Sequence, residues 1–317
     1  MNLVSVLHVA LRMAGPILLV AMGCVFAMKV NIFNLGLEGF MLAAAFAAIW
    51  GTYVTNNCWI GVLIAILVAV IYILIYAVFI LELKADPVIC AIAVITLASG
   101  MTRFLCKPVF GTSGRFSLPS SLALPTFDLP WLESIPVIGP IFNKQSVMIL
   151  LAIIAPFIIH FVLYKTDFGL KLRAVGLNEE AANAAGIHVK RIKYSALLLN
   201  GVFCGLGGAL LSLSVYMFNI DMTDGRGYMA LASCVLANGQ PLLVLLATLL
   251  FGFAESIQVS LSKYEISSYL LEMIPYAMAI IAAVLPYVVR GIRGKLRQKR
   301  SQVELISTYY KNRSKLQ

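Results

Sequence analysis

Long apolar segments separated by short polar punctuation run through most of the chain. Apolar runs lie at about 8–28, 36–55, 59–81, 87–106, 146–164, 194–217, 227–239, 241–260 and 269–290. Most approach the ~20 residues that carry an α-helix across a bilayer core. The 227–239 run is too short to cross alone. It is expected to join residues 221–226 in a broken crossing, tolerated only where it is buried in protein or lines a cavity. The pattern predicts an all-α, polytopic integral membrane protein with about nine (eight to ten) transmembrane helices in one domain, residues 1–290. The first run lacks a small-residue cleavage motif behind a basic start, so it reads as a retained helix.

Composition agrees: 61% of residues are hydrophobic, 12% are charged, and mean hydropathy is +0.93. A net charge of +10 would suit a nucleic-acid partner if it were spread over a polar surface. Instead, 17 of the 24 Lys and Arg fall at Lys29, Lys84, residues 165–193 and the stretch from Arg290 onward. That is the positive-inside bias of a membrane protein, and no nucleic-acid partner is expected. Tracing the crossings from a cytoplasmic tail (291–317) places the 165–193 loop and the Glu82–Asp86 turn inside. The 107–145 loop and the N-terminus fall outside. The tail is expected to rest on anionic membrane lipids. The 107–145 loop is rich in Pro, Gly and Ser and shows no helical or strand period.

Residues 165–193, KTDFGLKLRAVGLNEEAANAAGIHVKRIK, form a polar, basic island between apolar runs. Within it, Asn178 is placed to cap a short helix, and Glu179 and Glu180 complement the positive end of its dipole. Gly186 suits a left-handed C-terminal position. A self-contained helix offered to the cytosol by a membrane protein is a docking element for a soluble partner.

Polar residues inside apolar runs are costly and mark candidate sites. In Asn31-Ile-Phe-Asn34-Leu-Gly36-Leu-Glu38-Gly39, Asn34 and Glu38 are expected on one helix face near its cytoplasmic start. Glu38 either shapes the inner mouth of a pathway or is a first-turn carboxylate with Asn34 as the cap. Glu255, Gln258 and Glu272 are candidates for buried hydrogen bonds or a pathway lining. Asp221, Asp224 and Arg226 form an outer cluster, either a solvated loop or a gate. Arg103 reads as snorkelling at an outer helix end. A weak internal repeat aligns Gly39–Gly51 with Gly227–Gly239 and predicts an inverted pair of four-helix halves joined by the 146–164 helix. Such repeats place a pathway at their interface.

The chemistry that is missing is also informative. No GxxxxGK[ST] occurs, so no P-loop nucleotide site is expected. Three dispersed His and six scattered Cys form no metal-ligand spacing, no disulfide framework and no nucleophile–base pair. No cofactor and no catalytic residue are expected.

Leu172-Arg173-Ala174-Val175-Gly176-Leu177-Asn178-Glu179-Glu180-Ala181-Ala182, followed by Ala185-Gly186-Ile187, resembles the coupling segment of the branched-chain amino acid, ribose and nucleoside group of bacterial ABC importer permeases. Asn34-Leu-Gly36-Leu-Glu38-Gly39 resembles that group's early-helix motif. Gly201 to Gly208 is similar to its small-residue helix. Within the group, the chain looks most like the smaller permease of nucleoside importers. The resemblance implies a transport subunit without its own ATPase site in the bacterial cytoplasmic membrane. It also implies a partner ABC ATPase (single or tandem), a second permease forming a heterodimer, and an external substrate-binding lipoprotein. Arg173, Gly176, Asn178, Glu179, Glu180, Ala181, Ala182 and Gly186 would couple to the ATPase. Asn31, Asn34, Glu38, Glu255, Gln258 and Glu272 are the pathway candidates. A rival reading is a secondary transporter that couples an ion through Glu38, Glu255 or Glu272.

Overall fold

The computed structural model describes residues 3–112, 114–127, 139, 142–143, 145–262, 267, 270–278, 280–281 and 284. Four helices open the chain: α1 (Leu3–Lys29), α2 (Leu37–Thr55), α3 (Cys58–Leu81) and α4 (Pro87–Phe110). Strands β1 (Arg115–Ser117), β2 (Thr126–Phe127) and β3 (Gln145–Ser146) lead to α5 (Val147–Lys165). Helices α6 (Asp167–Leu177) and α7 (Glu179–Ala184) follow, then α8 (Val189–Leu213), β4 (Met217–Asn219), α9 (Arg226–Leu236) and α10 (Pro241–Leu261). Residues 270–278 are helical as well.

Local chemistry sets many of the boundaries. Asn57, Asp86, Ser146 and Thr166 each accept a backbone N–H at the start of α3, α4, α5 and α6, and Pro87 occupies the first turn of α4. Helix α1 ends where Asn31 turns left-handed (φ 58°), with Ile32 N–H donating back to the Ala27 carbonyl. Asn31 is therefore an exposed helix-terminating residue.

Seven helices among the described residues are long and apolar enough to cross a membrane: α1, α2, α3, α4, α5, α8 and α10. Of the nine expected crossings, the seventh is the 11-residue α9, preceded by a turn and β4 in the predicted broken arrangement. The ninth, 269–290, lies only partly within the described residues, and the 291–317 tail lies outside them. Helix α1 begins several residues before the expected start at 8, because helical geometry continues past the apolar run.

Helices α1 and α2 are each about four-fifths buried, whereas α3 and α4 are less than a third buried. The interior is therefore built from α1, α2 and α8, and α3, α4 and α5 present Leu, Ile and Phe outward. Small residues make this possible. A Cβ on Gly205 would come within 2.5 Å of Ile66 Cα in α3, and one on Gly208 within 2.4 Å of the Met41 carbonyl oxygen in α2. On another face of α8, a Cβ on Gly207 would lie 2.5 Å from Val20 in α1. Helix α8 thus packs backbone-close on three neighbours.

Helix α1 packs most extensively on α10, and α8 packs as extensively on α3 as on α1. The first helix of each expected half thus lies on the third helix of the other. The loop expected to lack strands contains three short ones. Strand β1 pairs antiparallel with β4 (Phe116 opposite Phe218), and β2 pairs with β3. Pairings of two or three residues are too short to leave an alternating pattern in the sequence. They pin the loop to the end of the bundle opposite the basic island.

Replacing Gly205 with Val is expected to cost about 1–3 kcal/mol or more by forcing α8 off α3. A lowered thermal unfolding midpoint of the detergent-purified protein would show it. An unchanged midpoint would contradict the packing.

Candidate functional site

The first candidate site is the basic island. Asn178 ends α6 and starts α7: its N–H donates to the Ala174 carbonyl, and its Oδ1 accepts the Ala181 N–H at 2.9 Å. At the other end, Gly186 is left-handed (φ 81°), and Ile187 N–H donates to the Ala182 carbonyl at 3.0 Å. Six helical residues are too few to persist alone, so these caps and tertiary contacts hold α7 in place. Glu179 and Glu180 occupy its first turn, and Glu179 pairs with Lys193 at 2.6 Å. Lys190 donates to Glu82 at 2.7 Å, which anchors the island to the end of α3. This hydrogen bond holds the Glu82 carboxyl below its ordinary range.

Of the island residues singled out in the sequence, Asn178, Glu179, Glu180, Ala181 and Gly186 are exposed. Ala182 is buried, so it seats α7 against the bundle and leaves Ala181, Asn183 and Ala184 outward. Leu177, beside the cap, is 88% exposed, an apolar side chain offered to solvent. Arg173 lies under the island with its guanidinium 5.1 Å from the Tyr164 ring centroid. Gly176 touches the end of α1: a Cβ there would fall 2.1 Å from the Lys29 carbonyl oxygen. An open groove of about 490 Å³ runs between α7 and the start of α8, lined by Glu179, Glu180, Asn183, His188 and Lys190.

The second candidate site lies inside the bundle. Glu38 is in the first turn of α2 and is buried. Its two carboxylate oxygens accept the Gly225 N–H at 3.0 Å and the Gly227 N–H at 2.7 Å, at the N-terminus of α9. The next residue, Gly39, abuts Ile95, which lies about 12 Å along α4 from Pro87 by helical rise. Glu38 therefore sits well within the stack. The sequence separates Glu38 from the 221–226 cluster, one at the inner side and the other at the outer, but the fold places them in direct contact. The reason is that α2 and α9 both begin inside the bundle. Asn34 is also placed differently from expectation. It precedes α2, is fully buried, and its Oδ1 accepts the Gly36 N–H. It does not share a helix face with Glu38.

Arg226 pairs with Glu255 of α10 (Nε–Oε1 3.1 Å), both side chains largely buried, and also donates to the Met222 carbonyl. Asp224, Arg226, Glu255, Gln258, Glu272 and Tyr276 line a cavity of about 100 Å³ at this junction. Five residues first read as two groups, an outer gate and a pathway lining, thus surround one space. Asp221 stands apart, accepting from Ser99 and Arg103. Arg103 is therefore ion-paired. Among the described residues, no group of His, Cys, Asp and Glu is arranged to hold a metal ion.

Sequence reasoning missed Lys29, Tyr276 and the two glycines that meet Glu38. One signal was available. In the repeat alignment Glu38 falls opposite Arg226, so an acid and a base occupy equivalent positions, and each needs a partner when buried.

Over residues 6–287, the chain matches the family described as the branched-chain amino acid transport system/permease component. It is 32% identical to the guanosine ABC transporter permease protein NupQ of Bacillus subtilis, over 89% of this chain and 93% of that one. It is 32% identical to the nucleoside ABC transporter permease protein NupC of Lactococcus lactis, over 90% of this chain and 94% of that one. A second B. subtilis protein, the guanosine ABC transporter permease protein NupP, is 26% identical over 91% of this chain and 84% of its own length.

Removing Glu255 alone should leave Arg226 as an unpaired buried charge. Glu255→Leu is expected to destabilise the protein by about 3–5 kcal/mol, and the double change Arg226→Met/Glu255→Leu to recover most of it. Thermal unfolding of the three proteins tests this. Equal losses in the single and double variants would exclude a mutual pair.

Proposed function

The chain belongs to the branched-chain amino acid transport system/permease component family, and on that premise we propose that it carries nucleosides across the bacterial cytoplasmic membrane as one permease of an ATP-driven importer. Full-length similarity to two permeases whose names specify guanosine and nucleosides carries the substrate class. The B. subtilis pair, NupQ and NupP, supports assembly with a second, different permease. A substrate-binding lipoprotein on the outer side completes the complex.

In this reading the 165–193 island faces the cytoplasm, with α7 seated in a cleft of the partner ATPase. The exposed Leu177, Ala181, Asn183 and Ala184 supply the contact, and the Asn178 cap keeps α6 and α7 moving as a unit. The ATPase hydrolyses ATP, and the permease adds no chemistry of its own. Closure of the ATPase shifts the bundle between states through differential contacts at this surface. The interior cavity around Glu255, Gln258 and Glu272 lies along the route, where carboxylates and an amide match the hydroxyl donors of a ribose. An ion-coupled mechanism is disfavoured because Glu38 and Glu255 are already engaged with backbone N–H groups and Arg226.

Proteoliposomes holding the complete transporter should take up labelled guanosine only with internal ATP, and unlabelled uridine, but not glucose or leucine, should compete. Uptake driven by an ion gradient without ATP would refute the mechanism, and competition by glucose or leucine alone would refute the substrate. Ala184→Arg, on the exposed side of α7, should abolish uptake while the protein still inserts. A cysteine placed at Ala181 should resist an impermeant thiol reagent applied to intact cells. Labelling from outside would reverse the orientation.

A further inference from the structure

Helix α9 is held at both ends by charged side chains from the first half of the chain. At its N-terminus, Glu38 accepts two backbone N–H groups. Just past its C-terminus, where Asn238 and Gly239 turn left-handed, Lys29 Nζ donates to the Asn238 carbonyl at 3.3 Å. Each charge is the sign that its end of the helix dipole favours. Lys29 in turn lies beneath the docking segment, because Gly176 of α6 rests on the Lys29 backbone. Contact therefore runs without a gap from α7 through Asn178 and α6 to Lys29, then along α9 to Glu38 and the Arg226–Glu255 pair beside the cavity.

We propose that α9 is a rigid strut about 16 Å long that transmits displacement of the α6–α7 segment to the interior cavity, with Lys29 and Glu38 as the positioning residues at its two ends. The inference rests on the docking role given to α7 above. Rigidity follows from the shortness of the helix, its 11 residues being too few to bend appreciably. If both ends stay tied, movement of Lys29 with α6 must move Arg226, which re-aims the guanidinium and its Glu255 partner at the cavity wall. If either tie is lost, the ATPase and α6 still move, but the cavity does not follow.

The test uses the complete transporter in proteoliposomes, with guanosine as the transported probe. A second readout is independent of substrate: the ATP-induced change in thiol labelling of Gln258→Cys, in a Cys58→Ser background because Cys58 is the one cysteine not buried. Lys29→Met should assemble and hydrolyse ATP like the parent, while uptake per ATP falls about tenfold, the scale set by one lost charge-assisted hydrogen bond. Glu38→Gln should show the same drop in uptake per ATP. Both should lose the ATP-induced labelling change, and Lys29→Arg, which keeps a donor, should restore it. Parent-like coupling and labelling in Lys29→Met and Glu38→Gln, with Ala184→Arg inactive, would overturn the strut and leave the docking reading standing. A parallel fall in assembly, hydrolysis and uptake would likewise overturn it in favour of a merely structural tie. Full uptake by Ala184→Arg would remove the docking reading, and the strut with it.

Discussion

A helix of 11 residues cannot cross a bilayer, so at least one of its ends, with its free backbone groups, falls inside the stack. Much of the interior architecture follows from meeting that need. The carboxylate of Glu38 is turned onto the start of α9, and Lys29 reaches past its end. The left-handed pair Asn238 and Gly239 closes the last turn, Gly239 N–H donating to the Cys234 carbonyl. The chain thereby places a helix terminus, a buried ion pair and a small polar cavity together within the stack. Broken helices of this kind bring polar backbone to membrane depth.

The surrounding bundle makes such a junction possible by close packing of small residues. Glycines on three faces of α8 let α1, α2 and α3 approach at backbone distance. Within lipid, where apolar side chains gain little from burial against each other, such close contact is the main source of helix association. Helices α3, α4 and α5, with less than half of their surface covered, complete the lipid-facing shell. Helix α1 lies on α10 and α8 on α3, while α2 packs on both α3 and α8, so the early and late helices form one continuous core.

The basic island is built on a different principle. Its helices are short, polar and capped at nearly every end, and they are tied to the bundle by Lys193–Glu179 and Lys190–Glu82. Exposed pairs like these contribute little energy, but they set the orientation of the segment. Burial of Ala182 and the close seat of Gly176 on α1 do more to fix it. The result is an exposed helical segment packed directly against the end of α1.

Features that depend on neighbours in sequence were legible from the chain alone. The spans follow from hydropathy, the broken seventh crossing from its length, and the turn at Gly186 from its lack of a Cβ. The Asn178 cap follows from a side-chain acceptor three residues before a free N–H. The Gly201–Gly208 run was legible as similar to the family's small-residue helix. The tertiary structure alone decided that Glu38 meets Gly225 and Gly227, 187 and 189 residues away. It also turned Ala182 inward, removed Asn34 from the helix and drew Asp224, Arg226, Glu255, Gln258 and Glu272 around one cavity. A cap or a span is selected by hydrogen bonds and water exclusion within a few residues. Which carboxylate serves which distant helix end depends on how the halves interlock, and no local window of sequence carries that information.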